Sequence, residues 1–305
     1  MATVAALHFT DPGCPWAYSA RPAHARLAWR FGDQIEWRLV MIGLGESSQA
    51  YVDRGYTPAL NTAGWRVFER RFGMPFAFQL KARVAGTARA CRAIVAARTI
   101  DPALGEAALQ ALQLMHFASP GLLDADGDLR SALARVPGLD ADAVVGAIDD
   151  PEVVAAYEAD RALARSAEGS PTHVQGRFAT TDGPVRFTAP SVIFEHGDGR
   201  RLEVGGFQPF EAYDTALANL ETALERRPPP EDPVEALGAF PLGLTTAELA
   251  AVMRPSDLVD ADIPAIQGQL PWLAQDGKIT CEPVGGDAVW RLPPAASPDR
   301  MLRGT

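Results

Sequence analysis

Lysine is almost absent from this chain. Of 305 residues only Lys81 and Lys278 carry an ammonium group, and Lys and Arg together make 28 cations against 38 carboxylates. The formal net charge is −10. Such a balance repels phosphate backbones and anionic lipid surfaces, so neither a nucleic-acid nor a membrane partner is expected. Cysteine is scarce, with Cys14, Cys91 and Cys281 making up the whole complement. An odd, sparse set does not build a disulfide framework. No run of about 18 apolar residues occurs, so no membrane-spanning helix is expected. The opening MATVAALHFTD lacks the basic region and long apolar stretch of a signal peptide, and a cytoplasmic location is expected. His8, His24, His116, His173 and His196 show no metal-ligand spacing, and no metal is expected. "GLGESS" (43–48) lacks the Lys-Ser/Thr ending of a phosphate loop.

What is present is ordinary globular material, 47% hydrophobic and 22% charged, enough for a sizeable core. The length suits one large or two modest domains. Residues 4–9 form a short apolar run closed by Thr10-Asp11-Pro12-Gly13, which reads as a buried strand. Pro15 suits a first-turn helix position, and small and apolar residues carry a helix to Gly32-Asp33. A second strand spans 35–42. From about 56 to 168 the text is helical, punctuated by capping signals such as Asp101-Pro102 and Asp149-Asp150-Pro151. Strands Ser191–Glu195 and Arg201–Val204 flank a Gly197-Asp198-Gly199 turn, and a helix follows over 209–226. "RRPPPEDP" (226–233) reads as a stiff linker. Beyond it lie a helix capped by Thr245 or Thr246, with Glu248 placed for a capping box on Thr245, a helix over 263–274, and two strands around Gly285-Gly286-Asp287. Helix, helix, hairpin is a winged-helix-like order. Over 240–292, Arg254, Lys278 and Arg291 face Glu248, Asp257, Asp260, Asp262, Asp276, Glu282 and Asp287, which argues for packing or protein contact rather than DNA binding.

The chemistry centres on "DPGCPWAYSA" (11–20). Cys14 stands where a strand hands over to a helix. Unpaired N–H groups and the helix dipole act there, and both are expected to lower the thiol pKa and favour the thiolate. Trp16 is placed to shape a pocket beside it. Ala189-Pro190, just before a strand, is a candidate for a cis bond or an ordinary strand-start proline. Cys91 shares a helix face with Thr87 and reads as core more readily than as a second active thiol. Cys281 reads as core or edge. His8, two residues before the turn, is a candidate to approach Cys14, and "RVFERRFGM" reads as a solvated helix face.

The stretches "FTDPGCPWAY", "RVAGTARACRA", "LLDADGDLRSAL", "DDPEVVAAYEAD", "TAPSVIF" and "EVGGFQPFEAY" resemble the DsbA-like family of thioredoxin-fold proteins, in its cytosolic dithiol–disulfide oxidoreductase or isomerase branch. The resemblance covers roughly 4–225. It implies an α/β thioredoxin domain (1–55 and 170–226) interrupted by an all-α insertion (56–169). A Pro-rich linker (227–236) and the winged-helix-like module (237–305) complete the expected organisation. It implies that Cys14 is the solvent-facing nucleophile and that Pro190 is cis. It places Trp16, Ala17, Ala189 and Pro190 at the substrate, with backbone beside Ala189 pairing with a bound peptide or thiol. Family members read CPWC where this chain reads CPWA.

With Ala17 in the second position, Cys14 can form a mixed disulfide but lacks the neighbour that clears it from within. The first expectation is therefore a monothiol oxidoreductase. Its partners would be a low-molecular-weight thiol of the glutathione or mycothiol type, as co-substrate, or a cysteine-containing protein. No tightly bound cofactor is expected. The alternatives are a thiol-cofactor enzyme like the kappa-type glutathione transferases and chromene-carboxylate isomerases, and a non-enzymatic binding protein.

Overall fold

Strand β1 (Val4–Thr10) runs through the middle of a four-stranded sheet. The chain leaves it through a turn into α1 (Pro15–Ser19) and α2 (Arg21–Phe31), then returns as β2 (Ile35–Met41), parallel to β1 with His8 opposite Leu39. Much later β5 (Ser191–Glu195) and β6 (Arg201–Val204) join on the other side, both antiparallel to their neighbour. The sheet order is β2-β1-β5-β6. This computed structural model describes residues 4–181, 183–256 and 258–294. Asp257, one of the acids of the C-terminal charge count, lies outside the described residues.

Alternation along β1 sorts its side chains between two faces. Val4 and Ala6 pack with Leu27 and Phe31 of α2, and with Tyr213 and Leu217 of α11 (Phe210–Leu220). Leu7 and Phe9 belong to another cluster with Val40, Ile42, Phe187 and Cys14. By the same parity His8 faces α2, and its ring meets His24 edge-on at 4.6 Å. Side chains of Phe or Leu size buried this way each contribute about 2–3 kcal/mol.

Between β2 and β5 the chain is mainly helical. The helices are α3 (Ser48–Val52), α4 (Pro58–Phe72), α5 (Ala88–Ile100), α6 (Pro102–Ala118), α7 (Asp126–Leu133), α8 (Ala141–Gly146), α9 (Pro151–Ala164) and α10 (Pro171–Val174). Two-residue strands β3 (Phe178–Ala179) and β4 (Arg186–Phe187) follow and pair with each other. Asp101 and Asp140 cap α6 and α8 through their side chains, and Pro102 and Pro151 sit in first turns, as their local chemistry favours. The core of this part is continuous with the sheet, because Leu39 and Met41 of β2 pack with Ile94, Leu112 and Tyr157.

The proline-rich stretch does not act as a free spacer. Arg227 N–H donates to Arg30 O at 2.8 Å, and Trp29 Nε1–H donates to Pro228 O at 2.8 Å. Its end is already helical in α12 (Pro233–Gly238), so the expected linker over 227–236 is laid against α2 and cut short. After α12 come β7 (Leu244–Thr245), α13 (Thr246–Met253), α14 (Ile263–Gln275), β8 (Thr280–Val284) and β9 (Asp287–Arg291). The three strands form a separate sheet in the order β7-β9-β8. Thr245 and Glu248 make the reciprocal capping box of α13. Leu249, Ala250 and Trp290 of this part share a core with Ala25 and Trp29 of α2. Among the described residues, no helix is long and apolar enough to cross a membrane.

Candidate active site

Cys14 is the N-cap of α1, with extended backbone (φ −87°, ψ 114°). The turn before it closes through Cys14 N–H to Asp11 O at 3.1 Å. Asp11 holds the turn together from inside. Its Oδ1 accepts from Gly13 N–H at 2.8 Å, and its Oδ2 accepts from Leu44 N–H at 2.8 Å and the Thr87 hydroxyl at 3.1 Å. Thr87 comes so close that a Cβ on residue 13 would lie 2.5 Å from its Cγ2, so a larger residue there would force Thr87 to shift. The Cys91 thiol also donates to Asp11 Oδ2, at 3.6 Å. Cys91 is therefore a fully buried partner of the turn's carboxylate.

Across from the turn, the Ala189–Pro190 peptide bond is cis. The Cys14 thiol donates to Ala189 O at 3.2 Å. A cleft of about 350 Å³ opens beside this pair. Trp16, 41% exposed, forms one edge of it and packs against Phe68 and Phe207, with ring centroids 4.8 and 5.4 Å away. Further round, Tyr51 and Tyr56 contact the Arg54 guanidinium, and Lys81 lies over the Trp65 ring. The buried Arg186 lines the cleft too and donates to Phe187 O and the Thr181 hydroxyl. Burial lowers the Lys81 ammonium to about 8.

The expected solvent-facing thiolate is not what the fold produces. Cys14 is 6% exposed. Burial pushes its thiol up to about 12. The N–H groups of Ala17 and Trp16 and the Arg186 charge pull the other way, while the nearby Asp11 carboxylate adds to the rise. The helix start does favour the anion, but a five-residue helix offsets only part of the desolvation.

Of the residues expected at the substrate, Trp16 and Ala189 line the cleft beside Cys14. Pro190 is buried and stands outside the lining. Ala17, 3% exposed, is in the wall of a different cavity. His8 belongs to that second cavity as well, and not to the cleft. Asp11, Arg186, Lys81, Tyr51 and Trp65 were not legible as site residues. Asp11 stood inside the motif and Lys81 was one of two lysines, but only folding brings them to the cysteine. Among the described residues, no three His, Cys, Asp or Glu side chains are placed to hold a metal ion.

The sheet order, with a cysteine at the helix start after β1 and Ala189-Pro190 before β5, defines a thioredoxin-like fold. Solved structures similar to it include the following three. A chain described as a protein disulfide isomerase, from Nitrosomonas europaea, is 16% identical with a TM-score of 0.53, and the match covers 71% of this chain and 97% of that one. The cytosolic disulfide reductase DsbM from Pseudomonas aeruginosa is 20% identical with a TM-score of 0.51, covering 72% and 100%. A chain described as a DsbA oxidoreductase, from Streptomyces coelicolor, is 22% identical with a TM-score of 0.50, covering 71% and 89%. No protein-family model and no curated protein matches the chain.

Proposed function

We propose that this chain is a thiol–disulfide oxidoreductase that works through one thiol, Cys14, with a small thiol disulfide as its reaction partner. The observation that carries this reading is the Cys14 thiol bonded to Ala189 O at 3.2 Å beside a cleft bordered by Arg54, Lys81 and Arg186. Those cations suit a tripeptide-like thiol with carboxylate ends. The similar structures, described as an isomerase, a reductase and an oxidoreductase, favour the same chemistry.

The cycle is balanced without a second protein sulfur. Cys14 loses its proton and its sulfur attacks one sulfur of the partner disulfide. One S–S bond forms as another breaks, and the released thiolate takes up a proton. A free thiol then attacks the partner's sulfur in the mixed disulfide and returns Cys14 as the leaving group. Ala17 leaves this second step to solution. In the cell we place the protein in the cytoplasm, and we read 237–305 as a winged-helix-like module, whose Leu249, Ala250 and Trp290 pack with α2 of the thioredoxin-like part (1–55 and 170–226).

One observation favours a second reading. A thiol held at about 12 stays protonated at neutral pH, and a neutral S–H can donate to the sulfur of a bound thiol cofactor, as a transferase or isomerase would need. The experiment separates the two. The protein is incubated at length with glutathione disulfide near pH 9–10, where a thiol held at about 12 is roughly 0.1–1% thiolate, and analysed by intact mass. One adduct is expected, located on Cys14, released by reduced glutathione and absent from Cys14→Ser. No adduct after prolonged incubation, with glutathione-dependent transfer activity retained by Cys14→Ser, overturns the oxidoreductase reading for the second.

A further inference from the structure

A second cavity, of about 400 Å³, lies between the sheet, α2, α6 and the segment 240–248. Ala17, three positions after Cys14, is part of its wall. The cavity is separate from the Cys14 cleft, whose lining it does not share.

Three observations describe what it would accept. First, His8 lines it, is 6% exposed, and its Nε2 has no hydrogen-bond partner among the described residues. A buried imidazole nitrogen without a partner is a rare and costly arrangement. Second, the positive charge in the lining is already matched, because Arg21 Nη2 lies 2.6 Å from Glu248 Oε1. His8 and His24 add no cation, since burial holds both well on the neutral side, His24 at about 4. Third, the Glu106 carboxylate on α6 also lines the cavity and, among the described residues, has no hydrogen bond or ion pair. Burial raises it to about 7, and the Arg21 charge opposes the rise. Counted together, the lining carries one unmatched negative charge when Glu106 ionises. The other polar lining groups are already bonded, Gln110 donating to Gly243 O at 3.0 Å and Gln113 accepting from Arg21 at 3.4 Å, and the rest of the wall is apolar or aromatic, with Trp37 and Phe240 both half-buried.

We propose that this cavity binds a small organic cation of the arylalkylamine class, its ammonium on the Glu106 carboxylate with His8 Nε2 as a further acceptor, and its ring against Trp37 and Phe240. The charge complements Glu106, the ammonium supplies the donor that His8 lacks, and aromatic walls favour both the ring and the cation. Carboxylate ligands are disfavoured, because they would face Glu106 and Glu248 with Arg21 already engaged.

The test is calorimetric titration of the full chain with tryptamine, its neutral alcohol analogue tryptophol, and indole-3-acetate. Tryptamine binds saturably, tryptophol about tenfold or more weaker, and indole-3-acetate weakest. Glu106→Gln reduces tryptamine to the tryptophol level, with an unchanged thermal melt as the folding control. Cys14→Ser leaves tryptamine binding as it was. The ligand series on the unmodified chain stands even where a variant folds poorly. Equal binding of the three ligands, preference for the carboxylate, no saturation by about 10 mM, or loss of binding in Cys14→Ser would each overturn the proposal.

Discussion

Cys14 and Asp11 form the pair on which the reactivity turns. The thiol is protonated at rest because it is buried and because Asp11 stands near it, and Asp11 stands there because four donors converge on it, Gly13 from the turn and Leu44, Thr87 and Cys91 from elsewhere in the chain. Alkylation of Cys14 by iodoacetamide should therefore rise about tenfold per pH unit from neutrality towards about 12. A plateau near 8.5, the value of a free thiol, would show an unperturbed group. The sign of the stability effect follows. The folded chain keeps this proton where the unfolded chain loses it, so stability falls as pH rises from about 8.5 to 12. Asp11→Asn should move two readouts in opposite directions. Removing the charge makes Cys14 more acidic and faster to alkylate. Losing acceptors for Leu44, Thr87 and Cys91 costs about 1–3 kcal/mol in a denaturant melt. The position of Cys14 was legible as a strand-to-helix residue. Its ionisation was not, since desolvation depends on what the rest of the chain lays over it.

At the level of elements, α13 shows how a local signal acquires a distant role. The capping box at Thr245 and Glu248 is written within four residues. The same Glu248, 1% exposed, also holds Arg21 of α2 at 2.6 Å. Glu248→Ala removes a cap and leaves Arg21 in partial burial without its partner. A loss of about 3–5 kcal/mol is expected in thermal or urea unfolding, and Glu248→Gln, which keeps a cap acceptor, should lose less. A change below about 0.5 kcal/mol, as for an ordinary exposed pair, would mean the contact does not bind α2 to α13. The longer elements were readable from their periodicity and caps. Strands β3, β4 and β7 were not, because two residues carry no period and exist only through a partner strand. The docking of the proline run was not legible for a similar reason, since its hydrogen bonds to Arg30 and Trp29 are invisible along the chain.

For the whole molecule, the C-terminal part completes the surface of α2. Trp29 is 3% exposed because Leu249, Ala250 and Trp290 cover it and the Arg227 guanidinium lies 3.4 Å above its ring. A chain ending at residue 232 uncovers Ala25 and Trp29 and leaves Arg21 without Glu248. It should melt at a lower temperature and associate on size-exclusion chromatography, as exposed apolar patches do. A truncated chain with the full-length melting temperature would make residues 233–294 an independent appendage.

The order of strands and helices, the cysteine at the helix start and the absence of a second thiol three residues on are properties of local sequence, because periodicity, capping and residue identity act over a few positions. Three outcomes belong to the tertiary structure alone. Burial overrides the helix start at Cys14 and keeps its proton on. The pairing parity of β1 turns His8 away from the cysteine and towards His24. The packing of α6 and 240–248 against α2 brings Glu106 to a cavity wall where, among the described residues, it has no ion pair. Each depends on groups distant in sequence, and the electrostatic cost of burial is set by their positions in space.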